Sequence, residues 1–159
     1  MDDRIRELHE FIKDKGLHQR LMVEQVQQEC LSDPARIRDL IAALTSGANY
    51  FHQITAHLEK RGWSEPEFYR RAGISAAVFS NMRNPRNKPS KNTLLQCLIG
   101  LELDYTDSSA LLEKAGYAFV WTDRKDLTII YCIIHQIWDK LTIDTLLVGV
   151  GQNALFSTV

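Results

Sequence analysis

The helix breakers and caps between residues 64 and 90 constrain this chain more than any other feature. Ser64-Glu65-Pro66-Glu67 is a helix start: Ser64 caps, Pro66 sits in the first turn, and Glu67 completes a capping box. Ala72-Gly73-Ile74 is a tight turn, with Gly73 suited to a positive φ that a side chain would penalise. Ser75 caps a second start, and Asn84-Pro85-Arg86-Asn87-Lys88-Pro89 is a loop by its breakers. These signals predict two short helices, 65–71 and 76–83, hinged at one glycine. The second is expected to bury Val78, Phe79 and Met82. Ser90 then caps a longer apolar helix over 91–103, with Leu94, Leu95, Leu98, Ile99 and Leu101 mostly in the core.

The flanking segments are helical by the same criteria. Apolar residues at 3–4 spacing predict amphipathic helices over 3–14, 17–31 and 34–44, the last opened by Ser32-Asp33-Pro34. Thr45-Ser46-Gly47 breaks the pattern and marks a boundary. Tyr50, Phe51, Ile54 and Leu58 line the next helix, which ends at Arg61-Gly62-Trp63. Past residue 103, Asp104 to Asp107 open a helix over 108–115 that ends at Gly116. Thr122-Asp123 cap a long apolar helix over 127–138, and Thr142-Ile143-Asp144 begin a last short one through Leu147. The 127–138 helix has little polar face, so it is either buried within the fold or packed on a partner. The expected fold is all-α, in three parts: an N-terminal helical extension (1–46), a core (47–119) and a C-terminal helical extension (120–159).

The core resembles the lambda-repressor-like helix-turn-helix family over about 70 of the 159 residues. The matching positions are Gly73-Ile74-Ser75 at the turn, Phe79-Ser80 in the second short helix and the run from Lys88 to Leu94. Gly100-Leu101-Glu102-Leu103-Asp104 is similar to the family's link to its last helix. The runs PEFYRRAGISAAVFSNMRNPRNKPSKNTLL, SALLEKAGYAF and DLTIIYCII are similar to a divergent bacterial branch, some of whose members are fused to macro domains or other signalling modules. The resemblance implies that helix 76–83 is the element that enters a DNA groove. One departure is Tyr69, where the family usually carries a small residue. A tyrosine there must widen the helix crossing or turn outward, with Ala72 making room.

Charge bears on the same face. Residues 60–91 hold eight basic side chains (Lys60, Arg61, Arg70, Arg71, Arg83, Arg86, Lys88 and Lys91) against Glu65 and Glu67. That is +6 in a chain of net charge -1, so the remainder carries -7. A basic patch on an acidic body is the footprint of a phosphate-binding surface. The candidate DNA-binding residues are therefore Ser75, Ala76, Ala77, Asn81, Arg83, Arg86, Lys88, Ser90 and Lys91. Serine and alanine at the start of helix 76–83 give no bidentate base contact, worth about 1–3 kcal/mol of discrimination. Backbone affinity with weak sequence preference, falling steeply with salt, is the expectation.

The alternative partner is protein: a homo-oligomer, or another component of a bacterial signalling or defence system, bound by a domain that kept its fold without its DNA. Its candidate interface is Ile129, Ile130, Ile133, Ile134, Ile137 and Trp138. Cys30, Cys97 and Cys132 form no CxxC pair, and the five histidines show no metal-ligand spacing such as HExxH. No catalytic residue, metal or cofactor is expected. The charged N-terminus and the lack of an apolar run of roughly 18 residues point to a cytoplasmic protein without a membrane span.

Overall fold

The computed structural model describes residues 4, 6–8, 10 and 50–158. It is all-helical, with no strand among the described residues. Residues 4, 6–8 and 10 are helical and Leu8 is fully buried. The helices expected over 17–31 and 34–44, and the boundary at 46, lie outside the described residues. Seven helices follow: α1 Tyr50–Arg61, α2 Glu65–Ala72, α3 Ala76–Met82, α4 Lys91–Gly100, α5 Tyr105–Lys114, α6 Arg124–Ile134 and α7 Lys140–Gly149.

Six of these helices start on a side chain that caps the orphan amides of the first turn. Ser64 accepts from Glu67 N–H (3.2 Å), Ser75 from Val78 (3.1 Å) and Ser90 from Thr93 (3.2 Å). Asp104 accepts from Asp107 (2.8 Å), Asp123 from Asp126 (3.0 Å) and Asp139 from Thr142 (2.9 Å). The capping box at α2 is only half made. The Glu67 carboxylate turns away to Arg70 (2.6 Å) and Arg71 (2.8 Å), because two guanidiniums one turn along the helix outcompete a single backbone amide.

The ends differ from the sequence expectation wherever glycine is missing. α2 closes at Gly73, φ 68, with Gly73 N–H on Arg70 O (3.2 Å) and Ile74 N–H on Tyr69 O (3.0 Å). α4 and α6 close with the same pair of bonds, but around Glu102 and Gln136, both at φ 54. α4 therefore stops at Gly100 rather than 103, and α6 at Ile134 rather than 138. α6 also begins earlier than expected, at Arg124, and α7 runs from Lys140, under Asp139, to Gly149 rather than from Thr142 to Leu147. α5 likewise starts at Tyr105.

One apolar core takes residues from all seven helices, from Leu8 and from Leu155. Phe79 is its centre on the α2–α3 side. Its ring meets Phe68 (5.5 Å), Phe51 (5.6 Å) and Tyr69 (5.9 Å), while Tyr50 Oη donates to Met82 O (3.0 Å). Val78, expected in the core, is 37% exposed. Phe79 and Met82 already fill the buried side of so short a helix. Tyr69 is half-buried against Phe79. A Cβ on Gly100 of α4 would sit 2.7 Å from Ala72 Cα, so the missing side chain of Gly100 lets α4 lie against α2 at Ala72.

α6 is the central post. Every residue from Asp126 to Ile133 is buried. Ile129, Ile130 and Ile133 of the expected interface are thus spent on the chain's own core. Ile134 is 49% exposed, and Ile137 and Trp138 are half-buried beyond the helix end. Side-chain bonds cross the expected boundary at 119/120: Asp126 Oδ2 accepts from Lys91 Nζ (2.5 Å), and Lys125 Nζ donates to Asn92 Oδ1 (2.6 Å).

Candidate nucleic-acid interface

The outer face of α3 is open among the described residues. Ser75, Ala76, Ala77, Ser80 and Asn81 are all exposed. α3 is held by Phe79 and Met82 from beneath and by the Ser75 cap, so its upper side carries no packing duty.

Beside α3, the loop of residues 83–90 folds back under its own asparagines. Arg86 N–H bonds Asn84 Oδ1 (3.0 Å), and Asn87 Nδ2 donates to Asn81 O (3.4 Å). The loop and α3 enclose a groove of about 420 Å³ lined by Val78, Asn81, Met82, Arg86, Asn87, Lys88, Pro89 and Thr93. Lys88 Nζ also lies 4.5 Å from the centre of the Tyr117 ring, a cation–π contact that fixes its stem. Three of the nine candidate residues, Asn81, Arg86 and Lys88, therefore converge on this groove.

The others do not join them. Ser75 and Ser90 are occupied as caps. Ala76 and Ala77 lie on the open face but offer no polar side chain. Arg83 is ion-paired with Glu65 and lies over the rings of Phe79 (5.4 Å) and Phe51 (5.7 Å). Lys91 is a strut. Its ammonium reaches Asp126, whose side chain is 3% exposed, so it is engaged by a buried carboxylate. The wider patch is likewise committed. Arg70 and Arg71 share Glu67, Arg71 lies over Trp63 (4.2 Å), and Arg61 donates to His57 Nδ1 (3.1 Å). Partial burial and then the Arg61 charge hold His57 below its ordinary pKa. The charge excess in the sequence is thus larger than the charge left free on the surface.

Sequence reasoning missed Asn84, Asn87 and Thr93. The Asn84-x-x-Asn87 spacing within the loop was the available signal. Contact of Lys88 with Tyr117 had none. Burial pushes the Cys97 and Cys132 thiols up to about 12, so neither is a thiolate at neutral pH. Among the described residues no three His, Cys, Asp or Glu side chains gather as a metal site, and no helix is long and apolar enough to cross a membrane.

These features define an all-helical bundle that presents one short helix beside a basic groove. Comparison with protein-family models, with curated proteins and with solved structures gives no match.

Proposed function

We propose that this chain is a non-catalytic transcription regulator that binds DNA chiefly through the phosphate backbone, with α2 and α3 acting as a lambda-repressor-like helix-turn-helix. The observation that carries the reading is the open face of α3 lying next to the Arg86–Lys88 groove. Small side chains at Ser75, Ala76 and Ala77 let a duplex approach α3 closely. Arg86 and Lys88 suit phosphates. Nothing on α3 makes a strong base contact except Asn81, so discrimination between sequences is weak.

Binding of a random-sequence duplex, followed as salt is raised, tests this. Affinity should fall steeply with salt. The double variant R86A/K88A should lower the salt slope by about 2 and bind all sequences about tenfold more weakly. Unchanged affinity in that variant removes the groove from the account.

A second reading is self-assembly. Leu141 (54% exposed) and Val148 (53%) stand seven residues apart on one face of α7, and Ile134 (49%) is also exposed. If the wild-type chain sediments as an oligomer and binds no duplex at low salt, this reading replaces the first.

A further inference from the structure

Asp144 lies on α7, is fully buried, and has no partner on its own helix. Its carboxylate gathers the end of the described chain instead. Oδ1 accepts from Leu155 N–H (2.8 Å) and Phe156 N–H (2.9 Å). Oδ2 accepts from Thr158 N–H (2.8 Å) and Thr158 Oγ1 (2.5 Å). Four donors on one buried carboxylate, three of them amides from a four-residue stretch, fix that stretch as a turn around Asp144.

What the turn carries is Phe156, and Phe156 lies over the α2–α3 hinge. A Cβ built on Gly73 would meet Phe156 Cδ1 at 3.2 Å, Lys140 Nζ at 3.5 Å and Gln96 Nε2 at 3.7 Å. These neighbours also hold the hinge carbonyls. Lys140 Nζ donates to Arg70 O (2.8 Å), and Gln96 Nε2 donates to Gly73 O (3.3 Å). A cation on the last carbonyls of α2 is favoured by the helix dipole. Lys140 Nζ lies 5.8 Å from the Phe156 ring centre, so the two brace each other.

α3 itself is weakly held. It has seven residues and two buried side chains. An element of that size sits at the low-stability end of a fold unless something outside it sets its orientation.

We propose that residues 155–158, clamped by Asp144, form a strap that positions the α2–α3 hinge, with Asp144, Phe156 and Lys140 as its positioning residues. The strap sets the angle of α3, and with it whatever the open face of α3 binds. Its link to DNA rests on the function proposed above; its link to the hinge does not.

Amide hydrogen exchange on the full chain tests it, with Phe156→Ala and Asp144→Asn. F156A keeps the clamp, so Leu155, Phe156 and Thr158 amides stay protected. Protection at Gly73, Ile74 and Phe79 should fall about tenfold, while Leu111 and Ile130 keep theirs. D144N places an amide donor against Thr158 N–H, and should release 155–158 and loosen the hinge together. Two results overturn the strap: wild-type protection at Gly73 and Ile74 in F156A, or an equal loss across all helices. Should the exchange pattern hold while the wild-type chain binds no duplex, the strap stands and the DNA reading falls.

Discussion

α3 and α6 are built on opposite plans. α3 is seven residues long, buries Phe79 and Met82, and leaves its upper face to solvent. α6 is eleven residues long and buries an unbroken run of eight. The first is an element laid on a bundle and held by a cap, two anchors and neighbouring contacts. The second is what the bundle is laid on. Tolerance to change should therefore differ sharply between two helices of the same small protein. Binding should be altered at α3 without cost to the fold, and the fold lost at α6 without a route to altered binding.

A matched pair of substitutions tests the contrast most severely. Ile130→Asp puts a carboxylate where no partner waits and should destabilise by more than about 4 kcal/mol, a large part of the stability of an ordinary domain. Ala77→Asp, on the open first turn of α3, should change stability by about 0.5 kcal/mol or less. It should nonetheless repel a phosphate backbone. Thermal melts of the two proteins decide it. An I130D that melts with the wild type would mean that α6 is not the post, and an unfolded A77D that α3 is not free.

Acid separates the clamp from the rest. Burial pushes the Asp144 carboxyl up, but the donors from Phe156, Thr158 and Leu155 outweigh it and hold the group below the ordinary carboxylate range. A carboxyl depressed in the folded state contributes fully above its unfolded pKa of about 3.9, and that contribution is lost as pH falls through the folded value. The Asp144 contribution to the melting temperature should therefore hold from pH 7 to about 5 and fall below about 4, with the hinge amides of α2–α3 opening before those of α6, whereas any loss between pH 7 and about 5 belongs to His57 and should be the same in D144N. D144N should flatten the acid limb. An equally steep limb in D144N would assign the acid response to other carboxylates.

The smallest effect lies at the end of α6. Gln136 holds φ 54 without being glycine. Gln136→Gly relieves that strain and should stabilise by about 0.5–1 kcal/mol, read as a higher denaturant midpoint with an unchanged slope. Glu102→Gly should do the same at the end of α4. The two together sharpen the comparison, because both act on the bundle and neither touches α3.

These helix ends also explain which boundaries could be read. Six starts rest on a bond within four residues, from the cap to the amide three places on; those under Ser64, Ser75 and Ser90 stand where the sequence predicts them, whereas those under Asp104, Asp123 and Asp139 come earlier than the apolar pattern predicts. The ends at Gly73 and Gly116 are as local, since glycine takes a positive φ without strain. At Glu102 and Gln136 ordinary residues take that conformation, because Leu103 and Ile137 are then turned back toward the core. No short-range signal marks this, so the apolar pattern runs on to 103 and 138. For the candidate site the legible part was the α3 face and the loop. The illegible part was which basic side chains were already engaged.

The amino-acid sequence by itself determined the order of caps and breakers, the hinge at Gly73 and the all-helical class, because each rests on bonds or torsions spanning a few residues. Only the tertiary structure decided that Arg83 goes to Glu65, 18 positions away, Lys91 to Asp126, 35 away, and Lys140 to the carbonyl of Arg70, 70 away. It alone set α6 inside the core, Gly100 against Ala72, and Phe156 over the hinge. A charge or a ring does not choose a partner until the fold has brought candidates within a few ångströms. That choice belongs to the packing of the whole chain.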